Sequence, residues 1–235
     1  MTTNSAAFFD VDGTLLSITS LRCFQEYYLK NSLTIPDTER ESLRKSFIRL
    51  FTDYRHVGKN REYINREFYR TFYGRNKEEV LRQAYKWWNW ELKNQSSLFV
   101  DSVVYELQKH QKSNRKTVLV SGSCYEILKP IAEHLNADDL LCTELDINEG
   151  VYTGEILGEQ FIGEGKRTAI NLYCKNHNLK SDQCFAYGDH ISDLPMLESV
   201  GNPFVILGDQ ALETVANSRG WLRLQRNTQL NAKLI

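Results

Sequence analysis

Five short apolar runs recur along the chain, and each ends in a polar residue or a glycine turn. They read AAFFDVD, TVLVSGS, LLCTELDI, CFAYGD and PFVILGD. Runs of this length and composition are typical of parallel strands buried on both faces. Helical patterns lie between them, with apolar faces formed by Ile127, Leu128, Ile131 and Leu135, and by Ile170, Tyr173, Cys174 and His177. This alternation predicts an α/β fold with a doubly wound parallel sheet.

The stretch 17–96 interrupts the alternation, because it contains no convincing strand. Helical spacing predicts four helices in it, over 21–30, 39–51, 62–73 and 78–92. We therefore predict that 17–96 forms an all-helical insert in an α/β core made of 1–16 and 97–235. This segment is called the helical insert below.

Two smaller segments carry their own predictions. The aromatic cluster WWNW, residues 87–90, is expected to pack the insert onto itself or onto the core. The segment 146–163 contains four glycines and alternates around Val151, Thr153 and Glu155, which predicts a hairpin or flap.

Charge is unevenly spread along the chain. The 235 residues have a net charge of −1, which predicts no attraction to nucleic acid or to a membrane. Between Lys30 and Lys93, however, 15 Lys and Arg residues outnumber 9 Asp and Glu, leaving the rest of the chain acidic. A solvated helical surface explains this excess, and so does a lid that attracts an anionic substrate towards an acidic site.

The cysteines and the N-terminus bear on where the protein works. The five cysteines are scattered and lack C-x-x-C spacing, which favours buried thiols in a reducing compartment over disulfides or a zinc site. The start MTTNSAAFFD lacks a basic n-region and a long apolar stretch, and no window approaches about 18 uncharged apolar residues. We expect a cytoplasmic protein with no membrane or nucleic-acid partner and an undetermined oligomeric state.

Residues suited to chemistry follow several of the predicted elements. Asp10 and Asp12 end the first run, where two like charges repel and need a nearby cation or solvent. Ser121 ends the second run, and Asp189 ends the fourth with Asp193 four residues later. Ligands gather at the carboxyl ends of parallel strands, so these side chains are expected at one site.

The turn after the second run and the later GEGK segment complete this set. Ser123 and Glu126 have the spacing of a capping box, and a helix that starts there offers free amides to an anion. Pro130 must either kink that helix or lie in its first turn. Lys166 follows a glycine pair and opens another helix.

Carboxylates, a hydroxyl, backbone amides and one lysine together suit phosphoryl transfer. A carboxylate nucleophile divides the reaction into two steps, and a second carboxylate moves the proton. Mg²⁺ prefers such oxygen ligands and would relieve the repulsion between the carboxylates. Lys166 and the Ser121 hydroxyl would neutralise the phosphoryl oxygens.

In this order the motifs resemble those of the haloacid dehalogenase superfamily. Its D-x-D-G-T, strand-terminal Ser or Thr, Lys and G-D-x-x-x-D motifs match Asp10/Asp12, Ser121, Lys166 and Asp189/Asp193. The phrases GEGK and GDHISDLPML look most similar to the phosphoserine-phosphatase-like subfamily IB. The resemblance implies a Rossmann-like core, a type-1 cap at the helical insert, Mg²⁺ dependence and phosphomonoester hydrolysis.

Roles follow from that resemblance residue by residue. Asp10 would be nucleophile and Mg²⁺ ligand, and Asp12 general acid/base with its backbone carbonyl on Mg²⁺. Asp189 would be a further Mg²⁺ ligand, with Asp193 supporting the metal site. Ser121 and Lys166 complete the catalytic set. The expected substrate-binding residues are Thr14, Gly122, Ser123 and Arg66.

The match departs from phosphoserine phosphatases at one position. Those enzymes hold the substrate amino group with an acidic residue shortly after the first motif, where this chain has Thr19 and no acid before Glu26. A missing charge-assisted hydrogen bond costs about 1.5–3 kcal/mol, which argues against phosphoserine. Basic residues of the insert allow for a second anionic group instead; they are Arg55, Lys59, Arg61, Arg66 and Arg70.

Other interpretations fit less well. From Asp10, an EF-hand would need Gly at the sixth position and Glu at the twelfth, and neither is present. The histidines show no triad signature, and His190 is interpreted as loop structure. Two alternatives stay open: a phosphotransferase or mutase that uses the same aspartyl-phosphate, and a non-catalytic binding protein.

Overall fold

A seven-stranded sheet forms the centre of the molecule in this computed structural model. The model describes residues 4–57 and 61–226, with 50–57 described by their backbone alone. The strand order is β4-β3-β2-β1-β5-β6-β7, and every neighbouring pair is parallel except β3 with β4. The strands are β1 Ala6–Phe9, β2 Lys116–Cys124, β3 Asp139–Asn148, β4 Val151–Leu157, β5 Phe185–Gly188, β6 Asn202–Ile206 and β7 Leu222–Leu224. Each of the five apolar runs contains a strand, so the predicted α/β fold is confirmed.

Helices connect the strands and cover both faces of the sheet. Over the described residues they are α1 Ser20–Asn31, α2 Asp37–Val57, α3 Arg61–Arg70, α4 Lys77–Asn94, α5 Asp101–Lys112, α6 Tyr125–His134, α7 Glu164–Asn176, α8 Leu194–Glu198 and α9 Gln210–Arg219. Two short 3-10 helices span Ser181–Gln183 and Ile191–Asp193. The four helices predicted in the insert correspond to α1–α4. The boundaries between core and insert stay a prediction.

Two apolar cores lie on opposite sides of the sheet, as alternation along β1 requires. Ala7 and Phe9 join the larger core, which includes the aromatic residues of the insert, whereas Ala6 and Phe8 join the smaller one under α7–α9. Trp87 is fully buried in the larger core, and its indole N–H donates to Glu91 at 2.8 Å. The WWNW cluster therefore packs as predicted, although Trp90 is 45% exposed.

The predicted hairpin is present and is joined to the insert. β3 and β4 are antiparallel, and the turn between them uses positive φ at Glu149 and Gly150. The N–H of Gly74 donates to the Tyr152 carbonyl, and the N–H of Tyr152 donates to the Arg75 carbonyl. These bonds attach the outer strand to the loop between α3 and α4.

The predicted capping box at α6 is wrong. β2 continues to Cys124, two residues beyond Gly122, so Ser123 belongs to the strand and Cys124 is the residue before the helix. No side chain caps that end. Pro130 lies inside the helix, beyond its first turn.

Two further expectations concern thiols and membranes. All five cysteines are free; Cys23 is partly buried and the other four are buried. Among the helices that the structure describes, none is long and apolar enough to cross a membrane.

Candidate active site

A buried ion triad lies where β1 ends. The Lys166 ammonium, at the start of α7, donates to Asp10 Oδ1 at 2.5 Å and to Asp193 Oδ1 at 2.7 Å. The three side chains are at most 9% exposed. The first, third and fourth motifs, far apart in sequence, therefore meet around one lysine.

The pKa values of this triad reflect burial and mutual charge. Burial raises the pKa of Asp10 to about 8, although the Lys166 ammonium opposes the rise. Burial alone would lower the pKa of Lys166, but Asp10 and Asp193 reverse that effect and raise it above its ordinary value. Lys166 is thus held as a cation.

Asp12, the second aspartate of the first motif, belongs to the same site. Its Oδ1 accepts the backbone N–H of Ser20, the first residue of α1, at 2.8 Å. Burial raises the pKa of the Asp12 carboxyl, and the Ser20 bonds and the Arg61 and Lys166 charges only partly oppose this. A carboxyl group with a raised pKa is suited to donating and accepting a proton near neutral pH.

Asp189 follows β5 and lies next to Asp10. Its Oδ1 accepts the Thr14 hydroxyl at 3.1 Å, and its Oδ2 accepts from the Arg226 guanidinium at 2.8 Å. Burial and the Asp193 charge raise its pKa. Gly13 explains the close approach, because a Cβ there would lie 2.3 Å from Asp189 Oδ2 and its φ is +87°.

Three carboxylates could hold a cation between them. One oxygen each of Asp10, Asp189 and Asp193 lie within 4.8 Å of one another. An all-carboxylate donor set is the kind that Mg²⁺ prefers, so the residues fit this metal. Asp193 also has other contacts: besides Lys166, it accepts the N–H groups of Asp189 and His190 at 3.2 Å. Its position therefore orients both the lysine and the loop after β5.

The second motif supplies a hydroxyl and a closely packed stretch of backbone. Ser121 is 2% exposed, and its Oγ accepts the backbone N–H of Ser123 at 3.1 Å. Gly122 leaves no room for a side chain, because a Cβ would lie 2.7 Å from Ile162 Cγ1.

These groups line a partly enclosed cavity of about 370 Å³ between β-strand ends and the insert. Helix α3 closes one side: Arg61 donates to Ser192 Oγ at 2.8 Å, and Asn65 donates to the Gly122 carbonyl at 3.0 Å. The lining residues are Asp10, Asp12, Thr19, Leu21, Arg22, Arg61, Ile64, Asn65, Phe68, Ser121, Gly122, Ser123, Ile162, Lys166, His190 and Ser192.

The structure brings together most of the predicted site residues, and two lie elsewhere than expected. Arg66 is exposed and does not line the cavity, whereas Arg61 does; five residues along a helix turn a side chain by about 140°, away from that face. Thr14 is fully buried and contacts Asp189 instead of the cavity, so its place is behind the site.

The remaining basic residues that were predicted in the insert do not line the cavity or lie outside the described residues. Arg70 is an exposed partner of Glu67 at 2.6 Å. The Arg55 side chain and Lys59 lie outside the described residues.

Several cavity residues were missed by sequence reasoning. His190, interpreted as loop structure, lines the cavity and also accepts the N–H of Ser192 through Nδ1 at 3.1 Å. Asn65 and Phe68 belong to no motif, and their helical spacing identifies only the helix. Arg226 does not line the cavity but donates to Asp189, and it was also missed; it follows β7, a strand of three residues with no strong pattern.

Curated relatives carry names of several kinds. A Streptomyces azureus protein named for inhibition of morphological differentiation is 27% identical over 92% of this chain and 76% of its own length. A histidinol-phosphatase of Neisseria meningitidis is 26% identical over 92% of this chain and 96% of its own. A probable phosphatase of Mycobacterium tuberculosis is 40% identical over 48% of this chain, and the match spans only 39% of that relative.

Solved structures share the fold at low identity. A Bordetella pertussis protein of unknown function has a TM-score of 0.80 and 22% identity, covering 96% of this chain and all of that one. A substrate-bound phosphoserine phosphatase has a TM-score of 0.66 and 14% identity, covering 95% and 94%. These likenesses support the fold prediction.

A family model matches the motif-bearing part of the chain. The model is described as haloacid dehalogenase-like hydrolase, and it matches residues 7–198, which include all four motifs. The resemblance seen in the sequence is thereby confirmed, and the chain belongs to the haloacid dehalogenase-like hydrolase family.

Proposed function

We propose that the protein is a Mg²⁺-dependent phosphatase that hydrolyses a small phosphomonoester through an aspartyl-phosphate on Asp10. The observation that carries this proposal is the set of groups that line one cavity. Asp10 accepts from the buried Lys166 ammonium, and Asp12, whose pKa is raised, and Ser121 line the same cavity. Names of relatives that include phosphatases agree with it.

In the first half-reaction an oxygen of Asp10 attacks phosphorus, and the bond from phosphorus to the leaving oxygen breaks. Protonated Asp12 gives its proton to that oxygen, so an alcohol departs. In the second half, Asp12 takes a proton from water, whose oxygen attacks the phosphoryl group. Phosphate leaves, and Asp10 is regenerated as a carboxylate.

Lys166 and Ser121 stabilise the charge that develops on the phosphoryl oxygens. Removing a single such donor from an enzyme typically costs about 10²–10³ in kcat. Asp10 and Asp189 would hold Mg²⁺, with the Asp12 carbonyl as the resemblance implies and with Asp193 fixing the surrounding loop. When bound, the cation neutralises phosphoryl charge and relieves repulsion among the carboxylates.

The charges that line the cavity bear on the substrate. Asp10 and Asp12 are the only carboxylates among its described lining residues, and both are assigned to chemistry. Thr19 lines the cavity at the sequence position where the resemblance expects an acid for an ammonium group. Arg61 and Arg22 add positive charge, although Arg22 also pairs with Glu26 at 3.0 Å. We therefore propose a small phosphomonoester that lacks an ammonium group and has a second anionic group.

The test is phosphate release from a panel of phosphomonoesters, with Mg²⁺ and with a chelator. The panel pairs each amino-bearing phosphate, such as phosphoserine and histidinol phosphate, with an analogue that has a carboxylate but no amine. We expect metal-dependent release that returns when Mg²⁺ is restored, and higher kcat/KM for the amine-free members. Preference for the amino-bearing members would refute the substrate assignment alone.

Asp10→Asn should abolish turnover while leaving the far-UV circular dichroism unchanged. Asp37→Asn, which changes an aspartate whose side chain is 93% exposed on α2, is the matched control and should turn over normally. Near-normal hydrolysis by Asp10→Asn would rule out the nucleophile. Transfer of the phosphoryl group to an added alcohol in place of water would favour a phosphotransferase.

A further inference from the structure

The peptide between Gly122 and Ser123 is a point at which α3 contacts the second motif. Its carbonyl oxygen accepts two hydrogen bonds from α3: one from the Asn65 amide at 3.0 Å and one from the Tyr69 hydroxyl at 2.5 Å. The two donors are four residues apart and thus lie on the same face of the helix. Two side chains of the insert therefore fix the direction of a single carbonyl.

The other end of the same peptide contacts Ser121. A trans peptide is planar, so its C=O and N–H point in opposite directions. The N–H of Ser123 donates to Ser121 Oγ at 3.1 Å. Turning the carbonyl away from Asn65 and Tyr69 would therefore also turn the N–H away from the Ser121 hydroxyl.

A hydroxyl oxygen that accepts this N–H keeps its own proton for another acceptor. Ser121 lines the same cavity as Asp10 and Lys166, where the proposed function places the phosphoryl group. The bond from Ser123 leaves the hydroxyl fewer orientations and favours donation into the cavity.

We propose that Tyr69 and Asn65 are positioning residues: by holding the Gly122 carbonyl, they orient the Ser121 hydroxyl towards the phosphoryl group. The inference rests on the proposed function. It links the position of α3 to phosphoryl binding, so that the site is complete only when this helix is docked. Tyr69 is fully buried and burial raises the pKa of its phenol well above the ordinary value, which keeps it a donor.

A simpler role would be that the two bonds merely fasten α3 to the core. The two roles predict different effects on activity when Tyr69 and Ser121 are changed together. If Tyr69 acts through Ser121, its removal should matter little once the Ser121 hydroxyl is gone. If it only fastens the helix, the two losses should be independent and their free energies should add.

The experiment is a double-mutant cycle on kcat/KM with Tyr69→Phe, Ser121→Ala and the double variant. One hydrogen bond is worth about 0.5–1.5 kcal/mol, so Tyr69→Phe should lower kcat/KM by about two- to twelvefold. In the Ser121→Ala background the same change should have less than about a twofold effect. In Ser121→Thr, which keeps a hydroxyl, the full effect of Tyr69→Phe should remain.

Tyr73→Phe, which removes a hydroxyl from a side chain 73% exposed just after α3, is the control and should match the wild type. If Tyr69→Phe does not fold, the cycle is run with Asn65→Ala, which removes the other donor. Equal losses in the wild-type and Ser121→Ala backgrounds would overturn the inference. So would wild-type kcat/KM in both Tyr69→Phe and Asn65→Ala.

Calorimetric titration with inorganic phosphate and Mg²⁺ separates this inference from the proposed function. A wild type that binds phosphate but hydrolyses nothing would contradict the proposed function alone. The inference would then require weaker phosphate binding by Tyr69→Phe than by Tyr73→Phe, and equal affinities would refute it. A wild type that does not bind phosphate would overturn both.

Discussion

Replacing Lys166 with methionine tests the electrostatics of the site directly. The change keeps a side chain of similar length but removes the ammonium, whose Nζ lies 2.5 Å from Asp10 and 2.7 Å from Asp193. Removing one partner of a buried ion pair costs about 3–5 kcal/mol, because the remaining charge is left uncompensated. Since a domain has about 5–15 kcal/mol of stability in total, the expected loss in the metal-free protein is a large share of it.

The loss should depend on pH in a known direction. Burial already raises the pKa of Asp10 to about 8 with Lys166 present, and removing the ammonium removes the contact that opposes this rise. The folded variant then binds protons that the unfolded chain, with carboxyl pKa values near ~4, has released. Its free energy of unfolding must therefore fall as pH rises, by up to about 1.4 kcal/mol per pH unit for each proton.

The assay is urea unfolding in chelator at pH 5.5 and pH 9.5, because Asp10 already has a pKa of about 8 in the wild type and the two proteins differ in bound protons mainly above that pH. Lys109→Met is the matched control, because that lysine is 52% exposed and pairs with Glu106 at the surface. Exposed pairs contribute about 0–1 kcal/mol, so the control should change little and show no trend with pH. A Lys166→Met loss below about 1 kcal/mol at pH 9.5, or an equal loss at pH 5.5 and pH 9.5, would refute the reasoning.

Two further predictions concern backbone and burial. Gly13→Ala should lower the urea midpoint more than Gly158→Ala and should abolish turnover. Both glycines have φ near +80°, but of the two only Gly13 would bring an added Cβ against a neighbour, Asp189. Equal losses of stability would contradict this. Burial, helped by the Arg115 and Lys109 charges, lowers the pKa of His110 to about 4. The unfolded chain binds this proton below about pH 6.5 while the folded chain does not, so stability should fall between pH 6.5 and 4 by at most about 1.4 kcal/mol per unit. Subtracting the profile of His110→Gln should reveal that slope, and parallel profiles would refute it.

The positions of the motif residues could be predicted because each is set by the strand or turn next to it in the sequence. Each apolar run is long enough to be a buried strand, and the residues just after it lie at the carboxyl edge of the sheet. Asp10 and Asp189 follow from this rule without any knowledge of the partners they meet, whereas Ser121 lies within the last paired residues of β2. The glycines beside them have equally local reasons, such as the close approach of Asp189 to Gly13.

The ends of strands and the caps of helices were predicted less well, because they depend on where hydrogen bonding between neighbouring strands stops. The run TVLVSGS indicates a strand, but its last residues also have the composition of a turn. Pairing of Cys124 with Thr143 on β3 extends the strand past a bulge and moves the start of α6 beyond Ser123. A register shift of this kind is a property of two strands together and is not visible in either alone.

The insert shows what a helical pattern cannot predict. Amphipathic spacing identifies α3 as a helix and its apolar residues as buried, but the polar residues next to that stripe are equivalent until the helix is docked. Docking distinguishes Arg61 and Asn65, which reach Ser192 and Gly122, from Arg66, which faces solvent. These contacts join residues 131 and 57 positions apart.

Two kinds of side chain line the cavity: those that short motifs specify and those that only the packing of α3 and α1 brings there. The groups assigned to phosphoryl chemistry lie on strand ends and helix starts of the α/β layers, where short motifs specify them. The groups that shape the rest of the cavity include α3 and α1 side chains such as Ile64, Phe68 and Leu21, which no motif specifies. We therefore expect changes on the cavity side of α3 to alter substrate preference without disturbing Asp10, Lys166 or Asp193. Asn65 and Tyr69 are the exceptions, because their hydrogen bonds to Gly122 connect α3 to Ser121.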